Sequence, residues 1–88
     1  MPSPAEFARV SPGVYRRADG VEIRRMKGYA VRELMRGAVW CTGDQWVAFD
    51  AQGCVMYSHY PAYVGGASLV KARERLDRHE RKTVQVVA

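Results

Sequence analysis

Hydrophobic and polar positions keep three different rhythms along this chain. From Val14 they alternate: Val14-Tyr15-Arg16-Arg17, then Ala18-Asp19-Gly20, then Val21-Glu22-Ile23-Arg24-Arg25. A period of two predicts strands, and Asp-Gly between two extended runs predicts a tight turn, so residues 14–26 form a first hairpin. On this reading Val14, Val21 and Ile23 face the core, and Tyr15, Arg17 and Arg24 share the exposed face.

A second rhythm occupies Gln45-Trp46-Val47-Ala48-Phe49 and Cys54-Val55-Met56-Tyr57, runs rich in β-branched and aromatic residues. Asp50-Ala51-Gln52-Gly53 between them suits a type I turn, with an Asp acceptor at its start and a Gly at positive φ at its end. Residues 45–60 are therefore read as a second hairpin. Trp46 and Ala48 point one way and Val47 and Phe49 the other. Both faces are apolar, so this hairpin is expected to be central in its sheet or covered on both sides.

The third rhythm is helical. Leu69, Ala72 and Leu76 recur at i, i+3 and i+7 behind Ser68, a suitable N-cap, which predicts a helix over 69–82. Glu74 with Arg78 and Asp77 with Arg81 are i, i+4 pairs, each worth about 0.3–0.5 kcal/mol, and Arg78, Arg81 and Lys82 complement the dipole at the C-terminal end. Gly28 and Gly37 bracket Val31, Leu34 and Met35, which fit a short helix, with a strand as the alternative. Residues 1–6 carry two prolines and no apolar pattern and are read as a disordered tail, after which Phe7 and Val10 begin to pack. Tyr57, Tyr60 and Tyr63, with His59 and Pro61, lead to Gly65-Gly66, read as a flexible joint. The tyrosines suit core filling better than stacking on a nucleic acid.

The fold class that follows is α+β, a single domain over residues 1–88. It has a small antiparallel sheet of two hairpins with a C-terminal helix packed on one face. A chain of 88 residues buries only about 60–65% of its unfolded surface, which leaves little room for a deep cleft and favours binding by a surface.

Charge sharpens that picture. The net charge is +5, and residues 9–36 alone hold eight Lys or Arg against Asp19, Glu22 and Glu33. Residues 37–67 contain no Lys or Arg, whereas residues 68–88 hold six basic and three acidic groups. Such a field favours an anionic partner and a salt-sensitive association. Tyr15, Arg17 and Arg24, extended by Arg25 and Lys27, interleave an aromatic ring with cations, as stacking on bases and neutralising phosphates require. Arginines also guard edge strands against aggregation, and a charged helix face is commonly just solvated.

Other chemistry is largely excluded. Cys41, Cys54, His59 and His79 are the candidate soft ligands, and no CxxC or HxxxH pair brings two of them together, so neither a metal nor another cofactor is expected. Neither cysteine has the local signature of a catalytic nucleophile, and no carboxylate pair for acid and base work is evident. Gly65-Gly66 lacks the P-loop lysine. The protein is not expected to be an enzyme. No signal peptide and no bilayer-spanning run is recognisable, so a cytoplasmic location without membrane contact is expected, with both cysteines as reduced, semi-buried thiols.

The run Gly13 to Ile23, then Trp46-Val47-Ala48-Phe49-Asp50 with Gly53, then Ser68-Leu69 with Ala72 and Leu76, resembles small phage and prophage proteins, mostly of unknown function. A small sheet backed by one C-terminal helix also resembles the arm-binding domains of tyrosine integrases and plant ethylene-response DNA-binding domains, in which the sheet enters the major groove. Residues 28–40 have no counterpart in that simple three-strand pattern. The resemblance implies a small basic module of a phage or mobile element, acting in the host cytoplasm and contacting DNA or RNA through Tyr15, Arg17, Arg24, Arg25 and Lys27. The alternative is a phage inhibitor of the anti-CRISPR kind that binds a host or defence protein. A third reading is a homodimer formed through Trp40, Trp46 or the tyrosines.

Overall fold

The computed structural model describes residues 6–40 and 42–87, with side chains as far as Lys82. Cys41 and most of the expected tail lie outside the described residues. The elements are β1 (Phe7–Ser11), β2 (Val14–Arg17), β3 (Glu22–Met26), α1 (Gly28–Leu34), β4 (Gln45–Phe49), β5 (Tyr57–His59), β6 (Ala62–Tyr63), β7 (Gly65–Gly66) and α2 (Leu69–Val87). Five strands form an antiparallel sheet in the order β1-β2-β3-β4-β7, and β5 with β6 forms a separate two-stranded ribbon. The α+β class read from the pattern is the one observed.

The first hairpin closes where Asp-Gly predicts. The Gly20 amide donates to the Arg17 carbonyl at 3.0 Å, and Gly20 holds φ at 95°, a value that glycine adopts without steric cost. Its facing, however, differs from expectation. The Arg17 amide donates to the Val21 carbonyl, and Tyr15 lies opposite Ile23. Directly opposed residues in an antiparallel pair point the same way. Tyr15 and Arg17 therefore join Val21 and Ile23 on the α2 side, while Val14, Arg16, Glu22 and Arg24 take the other. The three-residue loop 18–20 forces this parity, and the expected exposed face of Tyr15, Arg17 and Arg24 does not exist.

The second turn also forms as read: Gly53 holds φ at 85°, and the Asp50 carboxylate accepts the Gln52 and Cys54 amides at 2.9 Å each. The expected return strand does not run on. After the bridge Phe49 to Val55 and the Met56 amide to the Ala48 carbonyl at 3.0 Å, the chain leaves to build the ribbon. Gly65–Gly66 then takes the place beside β4, so it is a buried edge strand and not a flexible joint. The strand β1 was likewise absent from the sequence reading. Phe7 packs toward the core, while Val10 stays exposed.

Two clusters flank the sheet. On one side Val21, Ile23, Ala48 and Val64 pack against Ala72 and Leu76 of α2, with Leu69 and Trp46 at the margin. On the other, Val47 and Phe49 pack against Val31 and Met35, at the α1 end, with Tyr57 and Tyr63 of the ribbon. The two apolar faces of β4 are thus both covered, as its composition predicts. The tyrosine hydroxyls are anchored inward: Tyr57 donates to the Met35 thioether at 3.2 Å, Tyr60 to the Met35 carbonyl at 3.3 Å, and Tyr63 to Gln45 at 3.1 Å.

Ser68 caps α2, its hydroxyl accepting the Lys71 amide at 3.2 Å. The helix continues beyond Lys82, since no Gly or Pro interrupts residues 83–87, so Arg78, Arg81 and Lys82 lie inside it and not in its last turn. Asp77 pairs with Arg81 at 2.5 Å as expected, while Glu74 lies 3.8 Å from Lys71 instead. No described helix is long and apolar enough to cross a membrane.

Candidate functional site

The hairpin cations are already matched by carboxylates. Arg17 is only 8% exposed and makes two forks: Nη1 and Nη2 donate to the Glu80 carboxylate at 2.7 Å each, and Nε and Nη2 to Asp19 at 2.9 and 2.7 Å. The Glu80 and Asp19 bonds hold its guanidinium protonated well above the usual arginine range, and the Arg17 bond holds Asp19 below the usual carboxylate range. Arg17 joins the hairpin to α2 and is not available to a ligand. Tyr15 leans on Trp46 with ring centroids 5.9 Å apart. On the opposite face Arg16 and Arg24 bracket Glu22 at 2.6 and 2.7 Å, while Arg25, opposite Trp46 in the register, shares Asp44 with Lys27 at 2.8 and 3.5 Å. Arg25, followed by Lys27, holds Asp44 below its ordinary value. The structure therefore does not gather Tyr15, Arg17, Arg24, Arg25 and Lys27 into one exposed patch.

Glu22 is 7% exposed and sits between two cations, Arg16 first and Arg24 second, that keep it ionised below its ordinary 4.5. Asp19 likewise stays ionised below 3.8. The folded protein thus binds fewer protons than the unfolded chain at these sites. Their stabilisation is complete above the ordinary values and is lost as pH falls through the lowered ones. Melting temperature is expected to be flat from neutral pH to about 5 and to fall below it. Glu22→Gln should cost about 1 kcal/mol at pH 7, since its arginines are half-exposed and screened, and should flatten the acid slope. An equal acid slope in wild type and variant, measured by denaturant melts at several pH values, would remove Glu22 from this account.

The groups left without a counter-charge lie elsewhere. At about 100° per residue, Arg75, Arg78 and Lys82 fall within about 60° of one another on α2, beside the apolar stripe and away from Asp77 and Glu80; Lys71 shares that stripe but pairs with Glu74 at 3.8 Å. Arg75, Arg78, His79 and Lys82 form one bank of a cavity of about 210 Å³, and Ser58, Tyr63 and Val64 form the other. The ribbon is held there by β4: the Ala48 amide donates to the Val64 carbonyl at 2.9 Å and the Val64 amide to the Met56 carbonyl at 2.8 Å. Arg75 Nη1 donates to the Gly65 carbonyl at 2.8 Å, a neutral acceptor that orients the guanidinium without cancelling its charge. Tyr63 and Arg75 also line a second cavity with Val39, Pro61, Ala62 and Gly65, so the two cavities are neighbours that share these two side chains. Among the described residues, no carboxylate lines either cavity.

This groove can neutralise an anion and present an aromatic ring beside it. From sequence alone the α2 charges read as a solvated face, although the separation of Arg75, Arg78 and Lys82 from Asp77 and Glu80 is visible on the helical wheel. The opposing bank was not, because it depends on where the ribbon folds. Cys54 is exposed and free, not semi-buried, and no cluster of metal-ligating groups occurs among the described residues. No protein-family model, curated protein or solved structure matches the chain.

Proposed function

We propose that this chain is a small basic, non-enzymatic binding module of a phage or other mobile element, acting in the host cytoplasm, that contacts nucleic acid by neutralising phosphates along α2. The observation that supports this reading is the bank Arg75, Arg78 and Lys82, three cations in a groove without a lining carboxylate. The contact is assigned to this groove and not to the first hairpin, whose cations already face Asp19, Glu22, Asp44 and Glu80. A cation with a fixed carboxylate partner must give up that partner before it gains a phosphate.

Fluorescence anisotropy with labelled oligonucleotides across a salt series tests the reading. Three neutralised phosphates predict a slope of log K against log salt of about −2 for a single strand and about −2.7 for a duplex. Arg78→Glu with Lys82→Glu should weaken binding at least about tenfold, each charge-assisted contact being worth about 1.5–3 kcal/mol. Arg24→Gln with Arg25→Gln should change affinity less than about twofold, as expected for surface charges already paired. The reverse ranking of the two variants would return the site to the hairpin. Absence of binding at low salt would end the nucleic-acid reading and leave an acidic protein surface, as for a phage inhibitor of a host defence protein, as the partner of these cations.

A further inference from the structure

The groove is concave. The β5–β6 ribbon stands along the basic bank of α2, so this bank cannot enter a major groove as a recognition helix does, with its contacting face clear of the rest of the protein. Arg75 to Lys82 spans about 10 Å of helix, room for a few nucleotides of one backbone.

Next in sequence to the second cavity stands an exposed aromatic ring. Val39 lines the second cavity, and the next residue, one Cα step of about 3.8 Å away, is Trp40. Trp40 is 76% exposed, the highest exposure of any large hydrophobic residue among the described residues. The Arg32 guanidinium lies 4.2 Å from its ring centroid, covering one face and fixing the indole, while the exposure leaves the other face to solvent. Trp46, by contrast, is half-buried in the sheet against Tyr15. An indole held by a cation on one side and open on the other offers the sequence-tolerant stacking surface that single strands use.

We infer that the groove takes single-stranded nucleic acid, with phosphates along Arg75, Arg78 and Lys82 and an unpaired base stacked on the free face of Trp40. This rests on the nucleic-acid reading above and adds strand type and a base-contacting residue to it. Phosphate contacts alone do not distinguish strands, whereas stacking on Trp40 needs a base that is free of its partner.

The full chain is titrated by anisotropy, at one salt concentration, with a labelled oligothymidylate, a duplex of the same length and an abasic phosphodiester of the same length. Wild type is expected to bind the oligothymidylate about tenfold more tightly than the abasic strand and more tightly than the duplex, one stacked base being sufficient for a factor of that size. Trp40→Ala, which touches no core cluster, should abolish the preference for bases and leave abasic binding unchanged. Circular dichroism confirms that the variant is folded, and Trp40→Phe should restore part of the preference. Equal affinity for all three ligands, tighter duplex binding, or an unaltered preference in Trp40→Ala would overturn the inference while leaving phosphate binding in place. Polyglutamate binding as tight as that of the oligothymidylate would overturn it in favour of an acidic protein. Absence of binding to all four would overturn the nucleic-acid reading together with this one.

Discussion

Gly65→Ala is expected to lower the unfolding free energy by about 3 kcal/mol, at the upper end of overpacking costs, and the melting temperature by about 15 °C. A Cβ at this position would lie 2.1 Å from the Trp46 carbonyl oxygen and 3.1 Å from the Tyr63 ring. The first obstacle is backbone in the middle of the sheet, so relief requires β7 to part from β4. That movement also withdraws the Gly65 carbonyl that orients Arg75, and the basic groove should loosen with the sheet edge. Gly43→Ala is the matched control, because nothing lies within 4 Å of its Cβ position. It is expected to change stability by less than about 0.5 kcal/mol. Thermal and denaturant melts of the two variants side by side decide the matter: equal stability would mean that β7 does not press on β4.

The second large effect concerns the Arg17 junction. Its guanidinium is buried, whereas the side chains of its partners Asp19 and Glu80 are 52% and 38% exposed. Neutralising both partners, Asp19→Asn with Glu80→Gln, strands a buried cation. The expected loss is about 2–3 kcal/mol, reduced from the full cost of an unpaired buried charge because solvent reaches the junction. Adding Arg17→Met to that pair removes the stranded charge and keeps the length of the stem, so the triple variant should recover about 1 kcal/mol. A triple variant less stable than the double one, in urea melts at pH 7, would show that the guanidinium contributes without its carboxylates, through its cation–π contact with Phe7. The Arg17 junction lines neither cavity of the basic bank, so its stability test is independent of the stacking test.

Particular residues show how far local pattern carried. The alternation through Val21 and Ile23, the Asp-Gly and Asp50-to-Gly53 turns, the short helix after Gly28 and the stripe Leu69, Ala72, Leu76 were all legible, because each depends on torsions and periodicities within a few residues. The facing of Tyr15 and Arg17 was also decidable in principle, since loop length sets hairpin register, but alternation within one strand does not reveal it. The ribbon, the return of Gly65–Gly66 to β4 and the strand β1 were not legible. Strands of two or three residues carry no periodicity, and their partners lie at long range.

Charge followed the same division. Composition by itself determined that the chain carries a net positive field and that the N-terminal half and α2 are its sources. It also determined the α+β class, through the order of its rhythms. Tertiary structure alone decided which cations remain free to act. Glu80 reaches Arg17 across 63 positions of sequence, and Asp44 reaches Arg25 across 19, whereas Arg78 and Lys82 meet a tyrosine ribbon without a carboxylate. The reason is physical: charge count is additive along a chain, but neutralisation depends on distances of a few ångströms that only folding sets.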